Sequence, residues 1–388
     1  MDFSLTEIQE VFKSTAKKLF EEKWDITTLR AVEKEDRGFS STFYKEIADL
    51  GFLGLVVPEE YGGVGGGLTD LAVIVEEAGS ALFPSPFLPT VTYGVLPLLK
   101  YGTEAQKQEL LPKIIEGQVI VSSALSEAQA HYDMRYISAS AKKLGRGYAL
   151  SGTKLFVPFA DSADYLLTLA RTDPGQEGSP DGLSLFLVKN DPSTVRHTPL
   201  KSIGSDGLYE VEFLDTLLTD ADLLGAEGDG WSVVQEIIQL GTALQSVEMA
   251  GLLGRAMDLT NDYVKERTQF NQPIGNFQSV QHRLSDMYTV VEGGRLAAFQ
   301  AIWRLEEGLP AEKEIAVAQA WLSKDGQKVL VGAHQLHGGM GVDMDYPLQF
   351  CFRRFKSMQL NLGPTANHLK MIGNSFIKNQ KAEVVHAH

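Results

Sequence analysis

Cysteine is nearly absent: Cys351 is the single one in 388 residues. That excludes an internal disulfide and any multi-cysteine metal site, and it fits a reducing compartment. Basic charge is also short, with 35 Lys and Arg against 50 Asp and Glu, a formal balance of -15. Neutralising a nucleic-acid backbone or an anionic bilayer takes an excess of Lys and Arg on one face, so no nucleic acid and no membrane are expected as partners. Long apolar runs are missing, none approaching the ~18 residues of a bilayer crossing, and Asp2 stands where a signal peptide carries basic residues. The expectation is a cytoplasmic protein that works on a small molecule or another protein. Metal signatures are lacking as well. His334 and His337 are three apart near a helix end without a carboxylate or third histidine at ligand spacing, so no metal is expected. No Gly-x-Ser-x-Gly elbow occurs, and Cys351, in an apolar and basic stretch, reads as a packed thiol.

What is present is enough apolar side chain, 44% of the residues, to bury a sizeable core. From Thr6 to about Ile120 the pattern is helical, with Ile8, Val11, Phe12, Ala16, Leu19 and Phe20 at the spacing of one buried stripe. Pro58 to Gly67 and Phe83 to Pro89 break it, and a helix over Ala105 to Glu116 should end at Gly117. The period then turns strand-like: Val119 to Leu125, Tyr136 to Leu144, Tyr148 to Val157, Tyr165 to Thr172, Leu183 to Val188 and Leu208 to Leu214. Gly145-Arg-Gly147 reads as a hairpin turn and Asp173 to Gly182 as a solvated loop. Past Gly230 the helical period returns, strongest from Phe277 to Leu305 on a stripe of Val280, Leu284, Met287, Val291 and Phe299. The expected fold class is α+β multidomain: an N-terminal α-helical domain (1–118), a middle β-barrel-like domain (119–226) and a C-terminal four-helix bundle (227–388).

Two glycine-rich or donor-rich segments invite a ligand. Gly62 to Gly67 is followed by no Gly-Lys-Ser/Thr, and the sixth position of a Gly-x-Gly-x-x-Gly begun at Gly63 is Leu68, so it reads as a loop joining helices. Arg267-Thr-Gln-Phe-Asn-Gln-Pro-Ile-Gly275, then Asn276-Phe-Gln-Ser-Val-Gln-His282, places an arginine at one helix end, a turn, and a fresh helix start. A forked guanidinium and free helix N–H groups suit a pyrophosphate. An ordinary helical hairpin with a salt bridge from Glu266 is the competing reading.

At these residues the chain resembles the acyl-CoA dehydrogenase family of flavoproteins. The family's R-x-x-F-G hallmark reads Arg267 to His282, with Asn271 at the glycine position, and its Q-x-x-G-G loop reads Gln335-Leu-His-Gly-Gly-Met-Gly341. Matching pieces follow one another in order: Val57 to Gly63, Tyr101 to Lys107, Leu110 to Pro112, Ala124-Leu-Ser-Glu127, Ser151-Gly-Thr-Lys154 and Leu223 to Gly230. The resemblance implies the helical, β, helical order read above, and FAD bound where subunits meet. It implies that Arg267, Gln269, Phe270 and Gln278 contact the pyrophosphate and adenosine side, with Gln335, Gly338 and Gly339 close by from a neighbouring chain. It also implies that Leu125, Ser126, Val157 and Pro158 face the isoalloxazine. An acyl-CoA substrate, an electron-transfer flavoprotein partner and a homotetramer, or a heterotetramer with a related base-bearing subunit, are implied in the same way.

The departures fall on the chemistry. The family's reaction needs a carboxylate to take the α-proton of the thioester. The usual glutamate position is Leu362, the alternative helix position is Gly241, and Thr242 replaces the arginine that follows it. Glu248, seven residues past Gly241 and about 10 Å along a helix, is a weak candidate. Pro158 and Phe156 stand where a threonine and a tryptophan are common, and Ser126-Glu-Ala-Gln-Ala-His-Tyr-Asp133 has lost its Pro-Gly-x-Gly core. Phe83 to Thr90, Phe156 to Asp161, Val247 to Gly251, Arg353-Arg354 and Leu362 to His368 look like the branch holding base-lacking subunits that act with a partner on bulky acyl groups, in lipid or steroid degradation. The expected activity is an FAD-dependent acyl-CoA dehydrogenase. The alternatives are a non-catalytic subunit that completes a partner's flavin site, and a flavin oxidase or monooxygenase.

Overall fold

The computed structural model describes residues 3–35, 37–130, 132–173, 175, 178–204 and 206–386. Asp2, His131 and part of the 173–182 loop lie outside the described residues. The expected fold class is found: helical N- and C-terminal domains with a middle curled β sheet. In chain order the helices are α1 (Glu7–Lys23), α2 (Ile26–Val32), α3 (Ser41–Asp49), α4 (Leu68–Ser80), α5 (Phe87–Thr90), α6 (Leu96–Tyr101) and α7 (Glu104–Ile115). The strands are β1 (Val121–Ala124), β2 (Ser140–Lys143), β3 (Tyr148–Pro158), β4 (Tyr165–Arg171), β5 (Leu183–Lys189), β6 (Val195–Leu200) and β7 (Leu208–Leu218). Then follow α8 (Gly230–Glu266), the short pair β8 (Thr268–Gln269) and β9 (Gln272–Pro273), α9 (Gln278–Glu306), α10 (Glu312–His337), α11 (Leu348–Asn361) and α12 (Thr365–His386).

The chain forms two compact units, Met1–Leu29 with Leu68–Phe83 and Gly241–His388, and Arg30–Gly67 with Pro84–Leu240. In the first, α1 begins at a capping box in which Thr6 and Gln9 satisfy each other's backbone N–H groups. It packs on α4 through Ala16, Leu19 and Phe20, and Phe20 meets Phe83. Ile8 and Val11, expected on that stripe, are exposed at 64% and 60%, because the face turned to α4 runs through Gln9, which donates to Asp70, and Lys13, which pairs with Glu76, and Ile8 and Val11 fall off it. The α4–α8 crossing is set by two glycines. A Cβ on Gly79 would lie 2.1 Å from the Glu248 carbonyl oxygen, and one on Gly251 2.0 Å from that of Glu76. Substituting either forces the helices apart. Around them α9 packs on α10, and α10 on α11 and α12.

In the second unit the sheet order is β1-β4-β2-β3-β7-β6, with β5 paired to β4. Gly145 to Gly147 does turn β2 antiparallel onto β3, and α7 does end at Gly117, which holds the left-handed φ of +69° that glycine adopts without strain. β6 escapes the sequence pattern. It carries Pro199 and His197 and pairs with β7 alone, an edge place where a missing N–H costs nothing. The expected strand over Tyr136 to Leu144 starts only at Ser140, since the N–H groups of Ser138 and Ala139 go to the Glu127 carboxylate instead of a ladder partner.

That carboxylate belongs to a buried ion pair. Lys154 Nζ, fully buried, donates to Glu127 Oε1 at 2.7 Å, to the Leu169 carbonyl at 2.7 Å and to the Leu125 carbonyl at 3.5 Å. Burial would raise the Glu127 pKa, but the Lys154 charge and hydrogen bond, with the Ser138 and Ala139 N–H groups, outweigh it and hold the carboxyl below its ordinary range. A depressed carboxyl contributes stability above its unfolded pKa of 4.5 that is lost as pH falls through the folded value. Removing one partner strands the other: Lys154→Met should cost about 3 to 5 kcal/mol, while the double change with Glu127→Gln should cost less. Urea midpoints at pH 7 and along an acid series check both, and a Lys154→Met midpoint equal to wild type contradicts the assignment.

Candidate functional site

In the first unit, α8 ends at Glu266 and the next residue is Arg267. Its guanidinium is exposed and has no hydrogen-bond or ion-pair partner among the described residues. The Glu266 carboxylate likewise pairs with no base there, so the helical-hairpin reading loses the salt bridge it relied on. β8 and β9 form a two-residue hairpin whose central residues, Phe270 and Asn271, both have positive φ, 53° and 65°. Such a turn favours Asn-Gly, and a phenylalanine held there, 85% exposed, is strained. Strain of that kind collects at functional sites. Phe270 lies edge-on to Phe277, 6.0 Å between centroids. No side chain caps the first turn of α9, where Gln278 is exposed, and the Gln269 amide donates only to the neighbouring Thr268 carbonyl.

The Gln335 to Gly341 segment closes α10. Gln335, Gly338 and Gly339 are exposed, and a Cβ on either glycine would meet nothing within 4 Å, so their backbone faces open space. His334 and His337 pack rather than reach outward. His334 lies edge-on to Phe352 of α11, His337 stacks on Tyr263, and burial lowers the pKa of both. Among the described residues no group of three or more His, Cys, Asp or Glu is placed to hold a metal. Cys351 is fully buried, and burial pushes its thiol up to about 12.

In the second unit, the two segments expected to face a flavin ring are joined directly. The Leu155 N–H donates to the Ser126 carbonyl at 2.9 Å, and the Ser122 hydroxyl donates to the Pro158 carbonyl. A bulge between Lys154 and Val157 puts Phe156 at φ 59° and 58% exposed, while Leu125 and Val157 are buried and Val157 sits in the β core. Val157 therefore offers its backbone outward and not its side chain. Phe156 is the exposed ring of this segment, although sequence reasoning marked it only as a departure.

The positions expected to carry a proton acceptor hold groups that take no proton. Leu362 ends α11, next to Gly363 at φ 104°, and Gly241 and Thr242 are buried on α8. Glu248 is engaged by Arg354, Nη2 to Oε1 3.4 Å, with both side chains largely buried. Gln245 of α8 donates to the Met358 carbonyl and accepts from Asn361, so amides tie α8 to the turn that carries Leu362.

The first unit thus offers the Arg267 guanidinium, unpaired among the described residues, an uncapped helix start, exposed amides and two glycines whose backbone is open to close approach. That donor set fits a dinucleotide's pyrophosphate and ribose. Sequence reasoning missed Tyr263, His337 and Tyr346 behind it, because their spacing, across two helices and a loop, matches no local motif.

Three family models match the chain in order: acyl-CoA dehydrogenase, N-terminal domain, over residues 6–118, middle domain over 122–216, and C-terminal domain over 228–377. The sequence is 31% identical to acryloyl-CoA reductase (NADH) of Anaerotignum propionicum over 389 residues, 97% of this chain and 96% of that protein. The structure is similar to butyryl-CoA dehydrogenase of Megasphaera elsdenii, with a TM-score of 0.90, 27% identity and 97% and 100% of the two chains covered. It is also similar to a chain of the ChsE4-ChsE5 complex of Mycobacterium tuberculosis, with a TM-score of 0.89, 28% identity and 97% and 99% covered.

Proposed function

Because this chain belongs to the acyl-CoA dehydrogenase family, we propose that it binds FAD and serves the α,β-dehydrogenation of an acyl-CoA thioester with a bulky or unusual acyl group. Bound FAD supplies the acceptor for the hydride that leaves the β-carbon. The chain's own part is to hold the nucleotide half with Arg267, Gln269, Phe270 and Gln278, while Gln335, Gly338 and Gly339 reach it from a neighbouring chain. Leu125, Ser126, Val157 and Pro158 wall the isoalloxazine, and the electrons pass on to an electron-transfer flavoprotein. The carrying observation is the unpaired, exposed Arg267 beside the uncapped start of α9. The division at 1–118, 119–226 and 227–388 is part of this reading.

A second reading is favoured by one observation: the two base positions are leucine and glycine, and Glu248 is tied to Arg354. On it the chain is a subunit that completes a flavin site whose proton acceptor sits on a related partner. Its similarity to a chain of a two-component complex supports this. Yellow protein that turns over an acyl-CoA only after a homologous subunit is added supports the second reading. Turnover alone supports the first, and oxygen uptake with a non-thioester substrate points instead to an oxidase.

Either reading requires assembly. Val342 (73% exposed), Met344, Leu360, Leu369 and Phe376 are large apolar side chains left on the surface of the first unit, more than isolated exposure explains. Sedimentation should show a tetramer, or at least a dimer, and Val342→Lys should shift it towards smaller species. A monomer that keeps FAD at micromolar concentration contradicts the reading.

A further inference from the structure

His337, the last residue of α10, is 3% exposed and lies between two tyrosines. Its ring stacks on Tyr263 of α8 at 4.3 Å and 26°, and it is 5.0 Å from the Tyr346 ring. His337 Nδ1 is 2.8 Å from the Ala333 carbonyl, which can only accept, so the proton sits on Nδ1. Nε2 is then bare and accepts from the Tyr346 hydroxyl at 3.1 Å. The Tyr263 hydroxyl donates to the His337 carbonyl at 3.4 Å.

Each end of this stack is one step from a candidate nucleotide contact. Arg267 follows Tyr263 by one helical turn and its N–H donates to the Tyr263 carbonyl at 2.8 Å. Gly338 and Gly339 follow His337 directly, and Tyr346 stands at the far end of the loop that these glycines open. The His337–Tyr346 bond therefore closes that loop onto α10, while the Tyr263–His337 stack fixes α10 against α8. The Arg267 guanidinium and the two glycines are exposed and, among the described residues, have no side-chain contact to set their places, so their register comes from backbone bonds to Tyr263 and His334 and from the segments behind them.

We propose that Tyr263, His337 and Tyr346 are positioning residues that hold Arg267 and the Gly338–Gly339 loop as one preformed half-site, Arg267 for the nucleotide of this chain's FAD and the glycines for that of a neighbouring chain. The inference rests on the FAD reading of that half-site. A preformed site binds more tightly because ordering is not charged against the ligand. A mere packing role predicts that Phe at 337 or 346 is harmless, since ring and volume remain.

The test is FAD retention by the full-length holoprotein, followed by flavin fluorescence on serial dilution, with ADP as the displacing probe. Tyr346→Phe removes one hydroxyl and should weaken FAD about 5-fold, the worth of one hydrogen bond; His337→Phe, which loses both ring hydrogen bonds, should weaken it about 10-fold or more. ADP should weaken by the same factor in each variant. The visible circular dichroism of bound flavin should stay at its wild-type value, and the thermal midpoint at a fixed excess of FAD should fall by no more than the weaker affinity requires. FAD and ADP affinities within about twofold of wild type in both variants overturn the proposal, since one hydrogen bond would be expected to show. So does a midpoint at that excess that falls by more than the lost affinity accounts for. Wild type that takes up no FAD overturns the cofactor reading itself, and is recognised without any variant.

Discussion

Arg267→Ala protein is expected to leave purification nearly colourless while remaining folded. The guanidinium has no partner among the described residues, so its removal deletes no internal contact and leaves no buried group stranded. Its value lies in the ligand. A pyrophosphate closed in by a neighbouring chain is a desolvated dianion, and losing a forked donor from such a pair typically weakens binding by roughly 30-fold or more. Lysine offers the charge without the planar fork, so Arg267→Lys should retain an intermediate amount of flavin. Flavin-to-protein absorbance ratios after gel filtration, with circular dichroism for fold, check both. Full flavin content in Arg267→Ala would sink the assignment of this end of α8 to the cofactor.

The order of the elements was legible because it rests on period. Alternation over Tyr148 to Val157 and the stripe over Phe277 to Leu305 each became one element within a residue or two of the expected ends. Edges were less legible. β6 fails the alternation test because an edge strand buries little, and Tyr136 to Ala139 read as strand although the Ser138 and Ala139 N–H groups serve a carboxylate a dozen residues earlier. Gly79 and Gly251 show the same limit in helices: nothing in either local sequence says that a second backbone passes about 2 Å from the missing Cβ.

For the candidate site, single residues at chain turns stand out in the sequence and the residues packed behind them do not. Arg267, Gln278 and the paired glycines stand at element ends, where motif and geometry coincide. His337 stands out in the sequence only through its spacing from His334, and its partners Tyr263 and Tyr346 lie 74 and 9 residues away. Lys154 and Glu127 belong to separate sequence motifs, and only folding shows that they form one buried pair. Long-range polar pairs leave no period in the sequence, which is why the fold could be argued further than the site's supports.

Mixed anaerobically with acyl-CoA thioesters, the wild-type protein alone is expected to bleach its flavin slowly or not at all. A positioned general base is typically worth ~10²- to 10⁴-fold in rate. Here the two positions that would carry it hold an alkyl side chain, Leu362, and a hydrogen atom, Gly241. Glu248 is held by Arg354 and its backbone carbonyl is pressed against Gly79, so it serves the packing of α4, α8 and α11. Glu248→Gln should accordingly lower stability and leave the bleaching rate unchanged. Leu362→Glu should raise the rate, since Leu362 is only partly buried and its turn is already pinned through Asn361 and Gln245. Gly241→Glu should do less, because it forces a carboxylate into a buried helix face beside Thr242, where the family's arginine is missing. Stopped-flow absorbance over a panel of acyl groups reads all four proteins. Fast bleaching by wild type that survives Glu248→Gln would show a proton acceptor outside these three positions. Loss of wild-type bleaching in Glu248→Gln alone, with stability intact, would move Glu248 from the packing of the bundle to the chemistry of the site.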